Sequence, residues 1–592
     1  MSESFAAYWA SLPAQLAASL AKGSVGSGHL TTLASGLLGG LGPFGGSESD
    51  ARLAGELLLA AWEEDPLNGE LAAQLLRLDG RVYALTPACR GALSFAAASW
   101  RLPPDAGRLE ALTRDGDYDA SARRIDAGLI AEPENLYWLR EAWQLALADG
   151  RLPWFTEHFS RYNHQQQPLL RFIQGCLLLV EGGGDDSDAL VKDAAGKALP
   201  LFEELAASEQ VAPEGGRASS LSCLHWAVPA ELYAHCLALL GREREAQKIW
   251  ATELSRRPWR VNLALRLYDS ALPGRPLASN FAADTALLLY SFNKEAELAA
   301  TLTSLAPSAR RFRKILVLDN GGTDGTAALL RASQVRLGAD LFTPIFLPVN
   351  VGAPAARNWL AARPEALACE YLLYLDDDAL VSAEGATDPA AWLGHLARAL
   401  ERYPDASAWG LKIRDHILPW QAQSVDLHLD RAGDAPGVGF SLTSALGHPF
   451  AVSGLHAQGP DFGRFTYTRP CLSVTGCCHL LRTKEFQEQG GFNLVFSPSQ
   501  YDDLERDLRL GLSGRYACYH GHFSVRHLKR TGRGNNMSRA QYGNGLANSY
   551  KLAGRFTAEE LETLFAFQDN LLTADLQAKL TRLDELYPEL SG

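Results

Sequence analysis

An α/β domain built on a parallel sheet, preceded by an all-α helical-repeat domain, is the fold class predicted by this sequence of 592 residues. Three observations predict it. After residue 279, apolar runs ending in turn residues alternate with helical segments, the signature of strand–helix–strand units. Those runs are apolar at every position rather than at alternate ones, as in strands covered on both faces. Before residue 275, Ala- and Leu-rich helices recur around prolines. The expected boundaries are a helical and Gly-rich lead (1–50), an all-α region (51–278), the α/β domain (279–548) and a helical tail (549–592).

In the all-α region three segments share one pattern: LAGELLLAAWEEDPLNGELAAQLLRL, YDASARRIDAGLIAEPENLYWLREAWQLALADG and CLALLGREREAQKIWATELSRRPWRVNLALRLY. Each reads as two helices joined at a proline turn, at Pro66, Pro133 and Pro258. The first spacing is close to twice the roughly 34-residue tetratricopeptide period, and the second needs insertions such as GGGDDSD and EQVAPEGGRASS. The region therefore resembles a degenerate tetratricopeptide-like array. It is expected to offer a surface for a protein partner or for self-association, or to act as a helical spacer.

Composition narrows the function classes. A net charge of −13 argues against a protein that coats nucleic acid, which needs a basic face. The nine cysteines include no CxxC pair, so neither a zinc ribbon nor a disulfide framework is expected, and Cys477-Cys478 reads as packing. The N-terminus has an early glutamate and no basic n-region, so no signal peptide is expected. The uncharged stretches 23–47 and 435–460 are broken by glycines and prolines and make poor membrane spans, so no transmembrane segment is expected. The expected location is the cytoplasm, with peripheral attachment at the inner membrane left open.

In the α/β domain the strands are TALLLYSFN, KILVLDNGG, LFTPIFLPVN and YLLYLDDDAL, with KEAELAATLTSL and GAPAARNWLAAR as intervening helices. Ligands of such sheets bind outside the carboxyl ends of the strands. This chain places polar residues there each time: Ser291 and Asn293, Asp319 and Asn320, Asn350, and Asp376 to Asp378. The three successive aspartates repel one another, and nothing basic follows them nearby. That repulsion is tolerable on an open surface, or where a bound cation supplies the missing charge. The segment FTAEELETLF adds a capping box of Thr557 with Glu560 and a Phe556–Leu561 staple, opening the helical tail.

Five segments in this order resemble the family-two inverting glycosyltransferases of the GT-A fold, a Rossmann-like nucleotide-diphospho-sugar transferase architecture. YSFNKEAELAATLTSL resembles the first strand and helix, LVLDNGGTDGTAALL the "VDNGSTDGT" signature, and NVGAPAARNWL the "N-x-G-x-x-x-A-R-N" segment. LYLDDDA matches the DxD motif, and GGFNLVFSPSQYDDLERDLRL resembles the acceptor-side "GGFDE…EDxDLxxR" motif. The resemblance covers about 282 to 530. Two departures are visible, GG for GS and Asp-Asp for Glu-Asp.

What the resemblance implies is a transfer from a nucleoside-diphosphate sugar (UDP, dTDP or GDP) to a hydroxyl of a glycan, a lipid-linked glycan or a protein, assisted by Mn²⁺ or Mg²⁺. Asp378 would ligate the metal, with Asp376 at the metal or nearer the ribose, Asp377 between them, and His527 completing the shell. Ser291, Asn293 and Asn320 would line the nucleotide-sugar site and Asp319 would meet the nucleobase. Arg357 would pair with the diphosphate or with Asp376. Asp503 would be the general base and Asp502 would orient the acceptor. Asp324 is expected as a turn or cap residue, Asn358 as structural and Asp507 as a surface salt-bridging residue. Arg526, Lys529, Arg530, Arg533 and Arg539 form a basic run, read as a loop closing over the diphosphate or as plain solvated surface, and 435–460 would bear on acceptor recognition. A zinc site from His520, His522 and His527 lacks an evident fourth ligand.

A haloacid dehalogenase fits poorly, because Leu380 stands where its motif wants Thr or Val. No P-loop motif is present. The alternative of another class is a non-enzymatic helical scaffold carrying a degenerate transferase domain.

Overall fold

The computed structural model describes residues 4–38, 48–162, 166–183, 188–209, 223–272, 281–381, 388–431, 448–528 and 539–590. Several expectations lie outside these: the insertion loops near 184–187 and 210–222, the 273–280 junction, residues 435–447 of the uncharged stretch, and Lys529, Arg530 and Arg533.

Up to residue 272 the described residues are almost wholly helical. Each expected helix–proline–helix unit is present: Glu48–Glu64 and Gly69–Leu78 flank Pro66, Tyr118–Ala131 and Leu136–Asp149 flank Pro133, and Glu243–Arg256 and Val261–Ala271 flank Pro258. In the first two units an asparagine restarts the chain. Asn68 accepts a hydrogen bond from the Leu71 amide (3.1 Å) and Asn135 from the Tyr137 amide (3.1 Å), satisfying donors left open in a first turn. Trp62, Trp138, Trp226, Trp250 and Trp259 are fully buried anchors of this region.

The rest of the chain builds a ten-stranded mixed sheet of the GT-A type. Its strands are β1 (Thr285–Ser291), β2 (Lys314–Asp319), β3 (Phe342–Phe346), β4 (Tyr371–Leu375), β5 (Ala379–Leu380), β6 (Ala408–Asp415), β7 (Ala422–Ser424), β8 (Thr468–Cys471), β9 (Cys478–Arg482) and β10 (Ala517–His527). The spatial order is β8-β10-β6-β9-β4-β1-β2-β3, with β5 on β10 and β7 on β6. The half formed by β4, β1, β2 and β3 is parallel, as the apolar runs predict. Strand β9 runs antiparallel to β4 and β6, which brings the second half of the sequence beside the triple aspartate.

Successive residues of β1 enter different cores. Ala286 and Leu288 join a cluster that continues through the helical region, while Leu287 and Leu289 join the cluster on the other face. The capping box of Thr557 and Glu560 is formed, and Phe556 and Leu561 are buried in one cluster. The C-terminal helix Ala558–Leu586 packs against the N-terminal helices Phe5–Ser11 and Ala14–Lys22, against Val261–Ala271 and against β8. Its Asp584 accepts hydrogen bonds from the Phe5 (2.7 Å) and Ala6 (3.0 Å) amides, so the end of the chain caps its first helix.

Candidate active site

The parallel strands deliver their ends to one place. At the end of β2, Asp319 is buried and accepts from the Gly322 amide (2.8 Å), an Asx turn that opens the GGTDGT loop. Gly321 needs to be glycine: its φ is +77°, and a Cβ would lie 2.4 Å from the Val349 carbonyl carbon. Asn320 donates to Asn350 Oδ1 (3.0 Å) and accepts from the Val351 amide (3.0 Å), tying two strand ends together. Asn293, itself at φ +52°, accepts from the Thr323 amide (2.7 Å). Ser291 is buried at the end of β1, in register with Asp319. Asp324 accepts from the Glu295 and Thr326 amides, a turn and cap role.

Beyond β4 the three aspartates face different partners. Lys294 Nζ lies 3.0 Å from Asp377 Oδ1 and 2.7 Å from Asp378 Oδ2. His527 Nε2 lies 2.9 Å from Asp378 Oδ1 and 4.0 Å from Asp376 Oδ2. Burial pushes Asp377 up to about 6, against the pull of Lys294. Burial disfavours ionised Asp378 too, but the hydrogen bond from His527 and the charges of His527 and Lys294 prevail and hold its carboxyl well below the usual range. Burial would lower His527, yet its Asp378 partner raises it. Nothing basic follows the triplet in sequence, and its cation comes from elsewhere: Lys294 arrives from the far end of the first β-to-helix turn, and no local pattern reveals that approach.

Arg357 connects this cluster to the acceptor-side motif. Its Nη2 is 3.2 Å from Asp376 Oδ1 and its Nη1 is 2.9 Å from Asp502 Oδ2. The guanidinium also lies 5.5 Å from the Tyr290 ring and 5.4 Å from the Phe492 ring, so it is held on all sides. Asp502 is buried, which pushes it up to about 6 against the opposing pull of Arg357. Asp503, half-buried, accepts from the Gly476 amide (2.5 Å) and its own helix's Leu504 amide (2.9 Å). Gln500 (φ +81°) and Tyr501 (φ +69°) precede the pair, two left-handed non-glycine residues that set the entry of the helix Asp502–Gly511. Asn358 exchanges hydrogen bonds with Phe492, donating to its carbonyl (2.8 Å) and accepting from its amide (2.9 Å).

One expectation is corrected. Asp507 is not at the surface: it is buried, paired with Arg506 (2.7 Å), and accepts from Ser473 Oγ (2.8 Å), because its helix is enclosed on its polar side as well as its leucine side. The three histidines of the conceivable zinc site go to separate partners, His520 to Thr468 and His395, His522 to Asp269, and His527 to Asp378.

Sequence reasoning also missed Gln423, whose Oε1 lies 2.9 Å from His527 Nδ1, and Cys477, whose sulfur lies with an oxygen of Asp376 and a nitrogen of His527 within 4.8 Å of one another. Carboxylate oxygens and an imidazole nitrogen are a donor set that suits Mn²⁺ or Mg²⁺. Five carboxylates (Asp376, Asp377, Asp378, Asp502 and Asp503) face two permanent cations and one histidine, a surplus of negative charge that a divalent ion would offset.

A mixed sheet with a DxD strand end, bridged by an arginine to an acidic helix start, is the arrangement that the sequence resemblance to GT-A glycosyltransferases implies. Residues 287–425 match the family model for glycosyl transferase family 2, so the chain carries a family-two domain. Among characterised relatives, the O-antigen biosynthesis protein RfbC of Myxococcus xanthus is 29% identical over 263 residues, covering 43% of this chain and 18% of that protein. The N-acetylglucosaminyl-diphospho-decaprenol L-rhamnosyltransferase of Mycobacterium tuberculosis is 28% identical over 247 residues, covering 38% of this chain and 70% of that protein. This chain thus spans under a fifth of the length of the first relative. A solved mannosyltransferase of Pyrobaculum calidifontis, in complex with GDP-Man and Mn²⁺, is similar at a TM-score of 0.33 and 14% identity, over 60% of this chain and 87% of that one. No helix among the described residues is long and apolar enough to cross a membrane.

Proposed function

We propose that this chain moves a sugar from a nucleoside diphosphate (UDP, dTDP or GDP) to a hydroxyl acceptor in a single inverting displacement. The observation that carries this reading is Arg357, which joins Asp376 of the DxD strand end to Asp502 beside the candidate base. One rigid cation thereby fixes the spacing between the donor half and the acceptor half of the site.

Asp503 takes the proton of the acceptor hydroxyl as that oxygen attacks the anomeric carbon from the face opposite the nucleotide. The Gly476 amide holds one of its oxygens in place, and the other lies against the Leu504 amide. Asp502 is too deeply paired with Arg357 to meet an acceptor, so its role in this reading is to hold Arg357. Asp319 meets the nucleobase, with Ser291, Asn293 and Asn320 shaping the nucleotide pocket around it. Asp378, Asp376 and His527 would hold Mn²⁺ or Mg²⁺, which when bound neutralises charge on the diphosphate leaving group. His527 Nδ1 lies 2.9 Å from Gln423 Oε1, which orients the ring with Nε2 toward the acids, where an ion would take the place of the Nε2 proton. Lys294 is the chain's own cation beside the same acids.

Of the three acceptor classes, the names of the two relatives favour a surface glycan or its lipid-linked precursor over a protein. The helical region is proposed as the partner-binding or self-association part of the chain.

Calorimetric titration with UDP, GDP and dTDP, each with and without Mn²⁺, tests the reading. Expected is tight binding of one nucleotide that vanishes with EDTA and in Asp378→Ala. Undiminished binding in that variant would overturn the metal assignment, and a folded protein that binds none of the three would favour the scaffold alternative.

A further inference from the structure

Cys477 stands immediately before β9, between Gly476 and Cys478, and the sequence reads Cys477-Cys478 as core packing. Its position is more specific than that. Its carbonyl accepts from the Asp376 amide (2.9 Å), which locks the Cys477 loop onto the end of β4 in one register. Its side chain is 4% exposed. Its sulfur lies with an Asp376 oxygen and a His527 nitrogen, all mutually within 4.8 Å. Ligand atoms around a single divalent ion stand about 3–4 Å apart, since each bond is roughly 2.0–2.3 Å long. Small side-chain rotations close that difference.

We propose that Cys477 is a ligand of the metal centre, so that this chain's donor site carries a carboxylate–imidazole–thiolate set and prefers thiophilic divalent ions to Mg²⁺. The inference rests on the metal reading above and deepens it. An all-oxygen set is hard and suits Mg²⁺. Adding a soft thiolate shifts preference along the series from Mg²⁺ and Mn²⁺ toward Co²⁺, Zn²⁺ and Cd²⁺. Two features of the chain support the donor set. Gln423 fixes His527 with Nε2 facing the acids, and Lys294 occupies the far oxygen of Asp378, so that Asp376, Cys477 and His527 share the near side. Binding is a proton-for-metal exchange: the thiol S–H bond breaks, the sulfur lone pair forms the bond to the ion, and the proton passes to solvent, with no change of oxidation state.

Co²⁺ reads the sulfur directly, because a thiolate bound to it gives a near-ultraviolet charge-transfer band in addition to its visible ligand-field bands. The full chain is titrated with Co²⁺ alone, followed by absorbance, alongside Cys477→Ser, Cys477→Ala and Asp378→Ala, with the exposed Cys223→Ser as control. Expected is a charge-transfer band that saturates at one equivalent in the wild type and in Cys223→Ser and is lost in both Cys477 variants. The preference for Cd²⁺ over Mn²⁺, from competition titrations, should fall by roughly tenfold or more in Cys477→Ser. Wild-type protein that binds Co²⁺ in an Asp378-dependent way without the band would overturn the cysteine assignment and leave the metal reading standing. Absence of any binding of Mn²⁺ or Co²⁺ by the folded wild type would overturn both. Because the band is read in the wild type, the test survives a variant that fails to fold.

Discussion

Arg357 has two acids to satisfy, and one of them, Asp502, has 2% of its surface exposed. Removing the guanidinium leaves that carboxylate buried without a counter-charge, which costs about 3–5 kcal/mol. Arg357→Ala is therefore expected to lower the free energy of urea unfolding by that amount. Arg357→Ala combined with Asp502→Asn should recover part of the loss, with a coupling of about 2 kcal/mol. Strict additivity of the two changes would show that the pair does not join the two halves of the site. Asp503 is the opposite kind of residue, half-buried and held by amides rather than by a cation. Asp503→Asn should leave nucleotide affinity unchanged while turnover drops by about 10²–10⁴-fold, the usual contribution of a general base. Loss of nucleotide binding in step with turnover would place Asp503 in the donor pocket instead.

Among the elements, the end of the helix Asp188–Ser208 shows how a buried acid can weigh against the fold at neutral pH. Glu209, next in the chain, accepts hydrogen bonds from Thr86 Oγ1 and from the Trp226 amide, and so ties three segments together. Burial pushes its carboxyl up to about 7. Between about pH 4.5 and 7 the folded chain keeps a proton that the unfolded chain has released, so stability falls as pH rises through that window. The decline from this one group amounts to about 3 kcal/mol. Glu209→Gln should remove most of it, seen as a smaller difference between urea unfolding at about pH 5 and about pH 8. An unchanged pH dependence in the variant would mean that Glu209 is ionised in the fold. The same scale explains the misreading of Asp507. A helix with leucines at 504 and 508 predicts one buried face, but the helix Asp502–Gly511 also buries Asp502, Glu505, Arg506 and Asp507. Its polar side is matched by Arg357, Arg555 and Ser473, partners that a helical period does not reveal.

Across the whole molecule, one apolar cluster runs from Phe5 through the helical region and one face of the sheet to Leu583. The C-terminal helix closes it: Leu572, Leu576, Leu580 and Leu583 are buried there, and Asp584 caps the first helix. Leu580→Ala should destabilise by about 2–5 kcal/mol. Because the core is continuous, intrinsic tryptophan fluorescence, dominated by the helical region, and loss of nucleotide binding should report one shared unfolding transition. Two separated transitions, with the helical region outlasting the sheet, would show that the halves fold independently.

The sequence by itself determined what local physics controls. Runs apolar at every position read as strands covered on both faces. That holds for β1, β2 and β4 but not for β3, an edge strand of which only Phe342 is buried. The polar residues after the runs lie at strand ends. Thr557 with Glu560 could be read as a helix start, and each proline turn as a junction between helices, because capping and proline geometry act within a few residues. Only the tertiary structure decided which groups share the site. Lys294 meets Asp378 across 84 residues and Arg357 meets Asp502 across 145, while Gln423 and Cys477 arrive on segments with no motif of their own. The physical reason is that a side chain's neighbours across a sheet depend on strand order. Strand β9 entering antiparallel between β4 and β6 brings Cys477 to the triple aspartate, and β10 beside β6 carries His527 there.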